Sequence, residues 1–160
     1  MTDADQPAPR APGLSLKGRA LRYLSAREHS SAELVRKLAP HADTPEQLAQ
    51  VLDALQAKDF ISEARVADSV VNRRAAKFGA ARVRHELQGK GLSAELIADA
   101  IGVLKTTELS RAREVWRRKF TEPAVDAAGR AKQMRFLAAR GFGTDVIRRV
   151  VAGAGDEDEC

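Results

Sequence analysis

The sequence predicts an all-α protein: three tandem three-helix repeats stacked into an elongated, curved body. Internal repetition is the first reason. Glu33-Leu34-Val35-Arg36-Lys37-Leu38 returns in looser form as Arg82-Val83-Arg84-His85-Glu86-Leu87, and again as Gln133-Met134-Arg135-Phe136-Leu137. Leu38, Leu87 and Leu137 lie 49 and then 50 residues apart. A second apolar stripe follows each copy: Leu48/Val51/Leu52/Leu55, then Leu96/Ile97/Ala100/Ile101/Leu104, then Val146/Ile147/Val150/Val151. A fixed period of this size marks one helical unit used three times. Composition is the second reason. Apolar residues are 44% of the 160, aromatics only 4%, and Ala, Leu, Arg and Glu are abundant, which is helix-forming usage. A unit of roughly 45–50 residues buries too little surface to stand safely alone, so neighbours stack.

Each element has a local reason. Residues 1–14 are Pro-rich and polar and read as a disordered arm. Repeat 1 spans 15–61. It opens with Leu16, Ala20, Leu21 and Leu24 at helical spacing. Ser30 or Ser31 caps the next helix, with Glu33 or Glu28 supplying first-turn charge, and Pro40 ends it. Thr44-Pro45-Glu46 starts a third helix that runs to about Lys58. Repeat 2 spans 62–105. Ser62 caps a helix burying Val66, Val70 and Val71, and Phe78-Gly79 ends it through a left-handed glycine. Residues 80–88 form a helix burying Val83 and Leu87, stopped by Gly89-Lys90-Gly91. Ser93 caps another, with Leu96, Ile97 and Ile101 inward. Repeat 3 spans 106–152. Thr106 or Thr107 caps a helix with the stripe Leu109, Ala112, Trp116 and Phe120, broken at Glu122-Pro123. Residues 125–140 bury Ala131, Met134 and Leu137, Gly141-Phe142-Gly143 stops the chain, and Thr144-Asp145 caps the last helix. Residues 153–160 form an acidic tail. It reads as a solubilising end; the alternative is a polyanion mimic that competes for the basic face.

Charge is unevenly placed. Residues 1–72 net −1, residues 73–149 net +10, and residues 150–160 net −4. The overall +5 therefore hides a strongly basic body that attracts polyanions or acidic protein surfaces. No apolar run reaches the roughly 20 residues a membrane helix needs. The start lacks the pattern of a signal peptide, and the lone Cys160 forms no intramolecular disulfide, so a cytoplasmic protein is expected. No phosphate-binding loop is present, and His29, His41 and His85 lack carboxylates or cysteines at ligand spacing. No acid sits in an apolar setting suited to proton transfer. No enzyme activity, cofactor or metal is expected.

The basic stripes carry the functional reading. Arg73, Arg74 and Lys77 cluster on the helix after Ser62. Arg84 points away from the Val83/Leu87 stripe and Arg82 flanks it, with Lys90 at the helix end. Arg111, Arg113, Arg117 and Arg118 stand at helical spacings away from Trp116, which belongs to the core stripe. Lys132 and Arg135 do the same on the following helix. These residues are the candidate partner-binding set, expected to line one ridge across the repeats. Guanidinium groups favour forked bonds to carboxylates or phosphates.

The stretch Phe60-Ile61-Ser62-Glu63-Ala64-Arg65-Val66-Ala67, with Asn72-Arg73-Arg74, Phe78-Gly79 and Glu86-Leu87-x-x-Lys90-Gly91-Leu92, resembles the RecX family of bacterial regulatory proteins. Ser30-Ser31-x-Glu33-Leu34-x-x-Lys37-Leu38 is similar to the family's first unit. The chain departs at Val66, where members usually carry an aromatic. The resemblance implies a modulator of RecA that binds RecA or the RecA–DNA filament. Its recombinase, ATPase and coprotease activities would be inhibited, with effects on recombinational repair and the SOS response. A monomer with weak nucleic-acid contacts is expected. The rival reading is a direct DNA-binding regulator, with residues 31–55 as a helix-turn-helix. A repeat scaffold for an unrelated protein is a third.

Overall fold

The computed structural model describes residues 13–153, so most of the predicted arm and all of the tail beyond Gly153 lie outside the described residues. Among the described residues there are nine α-helices and no strand. They are α1 Leu16–Ala26, α2 Ser31–Leu38, α3 Pro45–Ala57, α4 Glu63–Arg74, α5 Ala80–Gly89, α6 Ala94–Thr106, α7 Glu108–Lys119, α8 Ala127–Ala139 and α9 Thr144–Val151. A single 3-10 turn, Ala39–His41, follows α2.

Local chemistry places most helix starts. The Ser15, Thr44, Ser62, Ser93 and Asp126 side chains each accept a backbone N–H in the first turn of the helix they precede. Ser30, not Ser31, caps α2, in a reciprocal box with Glu33. Three expectations need correction. α8 begins at Ala127, after the Asp126 cap, not at 125. Thr144 is the first residue of α9, and Gly143 stands at its cap without a side-chain bond. Thr107 stands at the start of α7, but its hydroxyl donates to the Leu104 carbonyl and accepts from Arg111 Nε.

Three apolar cores follow, one for each set of three helices. Leu16, Ala20, Leu34, Leu38, Leu48, Leu52, Leu55 and Ile61 form the first. Val66, Val70, Val83, Leu87, Ile97, Ile101 and Leu104 dominate the second. Ala112, Val115, Leu137, Phe142, Ile147, Val150 and Val151 form the third, with Trp116 and Met134 half-buried against it. The indole N–H of Trp116 donates to buried Gln133, a polar core member that hydrophobic periodicity passes over.

The junctions between units repeat as the cores do. At each one, the start of a unit's second helix meets the turn between the last two helices of the next unit. In the first, Ser30 Oγ donates to the Lys90 carbonyl at 2.6 Å, and Lys90 Nζ pairs with Glu33 at 3.0 Å. Gly91, at φ +72°, passes the turn close to Ala32. In the second, about one period on, the Gly79 N–H donates to the Arg140 carbonyl at 2.8 Å and the Ala81 N–H to the Gly141 carbonyl at 3.2 Å. The buried carboxylate of Glu108 accepts the Ala80 N–H at 3.0 Å. The orphan donors opening α5 are thus satisfied by the neighbouring unit, where α2 satisfies its own.

This changes the role of Gly79. Its φ is −81°, so it is not the left-handed stop expected of it, and α4 ends earlier, at Arg74. A Cβ at position 79 would lie 2.4 Å from the Gly141 carbonyl oxygen. Gly79 is there for close backbone approach. Gly79→Ala is therefore expected to cost about 3 kcal/mol, an overpacking penalty against backbone that cannot yield. Gly102→Ala, in α6 with nothing within 4 Å of the new Cβ, should stabilise by up to about 1 kcal/mol. Urea unfolding of both variants checks the contrast.

Candidate functional site

Two adjoining grooves flank these junctions and gather several cations of the central body. The first, of about 470 Å³, is lined by Arg36, Arg74, Phe78, Arg82, His85 and Lys90, with Glu33 and Glu86 among them. The second, of about 320 Å³, is lined by Lys77, Arg118, Lys119 and Arg140 around Phe78, Val115 and Phe136. Phe78 lines both and joins them. The Arg82 and Arg74 guanidinium carbons lie 4.3 and 5.5 Å from its ring centroid, and Arg140 lies 3.9 Å from that of Phe136. Such contacts hold planar cations over ring faces while their edges keep donors for an acidic ligand.

The grooves differ electrostatically. In the first, Glu86 takes Arg73 at 3.0 Å and Arg74 at 2.9 Å, and Glu33 takes Lys90. Among the described residues, the second has no acidic lining residue. Its field toward an anion is therefore the less compensated.

Glu33 is a hub. It is 7% exposed and accepts from Arg27, Lys90 and its own cap amide, Ser30 N–H. Burial pushes its carboxyl up, but these three donors outweigh burial and hold it down at about 2. Arg111 shows the opposite balance. Burial lowers its pKa, against the raising influence of Glu108. Its guanidinium donates to the carbonyls of Ala75, Phe78 and Leu104.

The expected single ridge is not what the fold builds. Arg74, Arg82 and Lys90 meet in the first groove, and Lys77 and Arg118 in the second. Arg111 is occupied inside the second junction, holding the end of α4 to α7. Lys90 is largely committed to the first junction. Arg84 lines a separate recess with Gln88, Leu92 and Ile97. Arg73 lies at a third surface with Arg65 and Asp68. Arg117 is exposed and pairs with Glu114, and Lys132 and Arg135 are exposed on α8. Arg113 is half-buried on α7. These last four line none of the grooves described here. Arg36, Lys119 and Arg140 join the grooves, although face arguments do not single them out. The repeat marks one of them: Arg140-Gly141 stands 50 residues after Lys90-Gly91.

A body of stacked three-helix units with cation-lined grooves at its unit junctions belongs to the class of helical-repeat proteins. Comparison with known proteins makes the class specific. Models of the first, second and third three-helix domains of RecX match residues 17–55, 62–101 and 106–151. Regulatory protein RecX of Leptothrix cholodnii is 58% identical over 148 residues, covering 92% of this chain and 94% of that protein. Its counterpart in Ralstonia nicotianae is 48% identical over 146 residues, covering 91% of each. The crystal structure of RecX from Lactobacillus salivarius, at 18% identity, shares the fold with a TM-score of 0.75 over 86% of this chain and 92% of that one. The chain belongs to the RecX family, whose named members here are regulatory proteins. No helix among the described residues is long and apolar enough to cross a membrane.

A depressed carboxylate stabilises the fold above its unfolded pKa, near 4.5, and that contribution is lost as pH falls toward about 2. Glu33→Gln is therefore expected to lose about 2–3 kcal/mol at neutral pH and to remove this acid limb. Urea unfolding of both proteins, from about pH 6 down to about pH 2, measures the difference.

Proposed function

We propose that this protein binds RecA or the RecA–DNA filament and inhibits its recombinase, ATPase and coprotease activities. In the cytoplasm it would thereby modulate recombinational repair and the SOS response. Family membership supports the reading, and one observation carries it: cationic grooves stand at successive unit junctions and share Phe78. A periodic body with repeated contacts gains avidity on a periodic filament, because each later contact is intramolecular. The cations suit acidic protomer surfaces first and DNA phosphates as weaker, salt-sensitive contacts. A monomer suffices for this mode.

No observation favours the helix-turn-helix reading of residues 31–55. Its two cations have internal partners: Arg36 donates to the Gly89 carbonyl and Lys37 lies 4.7 Å from the Tyr23 ring centroid. Direct readout of bases needs such side chains free.

Hydrolysis of ATP by RecA on single-stranded DNA tests the proposal. Substoichiometric protein is expected to suppress hydrolysis. Lys77→Glu, Arg118→Glu and Lys119→Glu combined should weaken inhibition by roughly tenfold or more, with helix content unchanged by circular dichroism. Arg84→Glu, outside both grooves, should leave inhibition nearly intact. Equal inhibition by all three proteins removes the second groove from the interaction.

A further inference from the structure

We propose that the second groove is an internal docking site for the chain's own acidic segment, Asp156-Glu157-Asp158-Glu159. This goes beyond the regulatory reading and does not depend on it. The groove brings Lys77, Arg118, Lys119 and Arg140 together over Phe78 and Phe136, with no acidic lining residue among the described residues. No ion pair is found among the described residues for these four cations. The occupant must be anionic to match them. The segment carries four consecutive acids.

Reach is sufficient. The described chain ends at Gly153, whose left-handed φ of +69° turns the backbone out of α9 beside Pro123. Pro123 lies four residues beyond Lys119, so at about 3.8 Å per Cα step the two are at most about 15 Å apart. The six extended Cα steps from Gly153 to Glu159 span about 20 Å. The distal acids, with the side chains on both sides extended, therefore reach Lys119 without any rearrangement of the fold. A short tether holds the segment at millimolar effective concentration, so even weak ionic contacts are populated. Docked there, the segment occupies the less compensated groove until a more highly charged ligand displaces it. It is a built-in competitor that raises the threshold for binding any acidic partner.

The sequence holds one tryptophan and one cysteine, Trp116 on α7 and Cys160 just past the acids. Energy transfer from Trp116 to a dansyl-type acceptor on Cys160 of the full chain reads the docking directly, with no recombinase present. High transfer is expected at low salt. It should fall by about twofold or more at about 1 M salt, where screening acts beyond roughly 3 Å. The same fall is expected at low salt in the Lys77→Glu, Arg118→Glu, Lys119→Glu variant. A second variant leaves the folded body untouched: Asp156→Asn, Glu157→Gln, Asp158→Asn and Glu159→Gln should show the same low transfer. Transfer indifferent to either variant overturns the proposal. Transfer that grows with protein concentration also overturns it, in favour of a second copy as donor of the acids. Because recombinase inhibition is measured separately, its absence leaves this test intact, and failure here leaves that reading intact.

Discussion

Backbone-to-backbone contact at the second junction governs the placement of everything beyond it. Gly79 and Gly141 face each other with no room for a Cβ on either side: one built at 141 would lie 2.6 Å from the Arg82 nitrogen. The residues flanking this contact are those of the grooves: Lys77 and Phe78 before Gly79, Arg82 just after, and Arg140 before Gly141. Groove shape is therefore a by-product of how two units seat. The first junction reaches the same geometry by other chemistry. There Ser30 and Glu33 supply polar contacts to Lys90 at the positions where the second junction uses close packing. Buried charge pairs cost desolvation, and the low pKa of Glu33 indicates that its donors more than offset it.

The two outer surfaces of the array lack this seating. One period before Lys90-Gly91 the chain has Pro40-His41 in a 3-10 turn, with no glycine to admit a neighbouring backbone. Fifty residues after Gly79 stands Gly129, inside α8. A Cβ there would meet Asp126 and Ala124 of its own chain. The third unit covers this position with its own Ala124 and Asp126, whereas the first unit leaves Pro40 and His41 exposed. Terminal units of repeat arrays present a polar outer face because an uncovered apolar stacking face would be sticky.

Much of the fold was legible because it rests on local chemistry. Period, caps and apolar stripes put nearly all helices where residue spacing indicates, and Thr44-Pro45, Ser62 and Ser93 act as their chemistry requires. The misreadings at Thr107, Thr144 and the start of α8 are local, a matter of which residue caps. Those at Gly79, Gln133 and Arg111 share another cause: each acts on a residue from another helix or another unit. Gly79 resembles a helix stop, yet its role depends on a backbone 62 residues away. Arg111 resembles a surface cation, yet its donors meet carbonyls at the ends of α4 and α6. Arg140 was legible only by aligning the repeats, since its own helix face does not mark it.

The sequence alone determined the all-α class, the threefold period, the apolar cores and the basic middle, because helix propensity, capping and hydrophobic spacing act over a few residues. Which cations share a surface was decided only by tertiary structure. Helix faces are known from sequence only relative to their own axes. Whether Lys77 and Arg118 converge while Arg84 points into another recess depends on how two units are rotated against each other. That rotation is set by the closest approach of two glycines far apart in the chain.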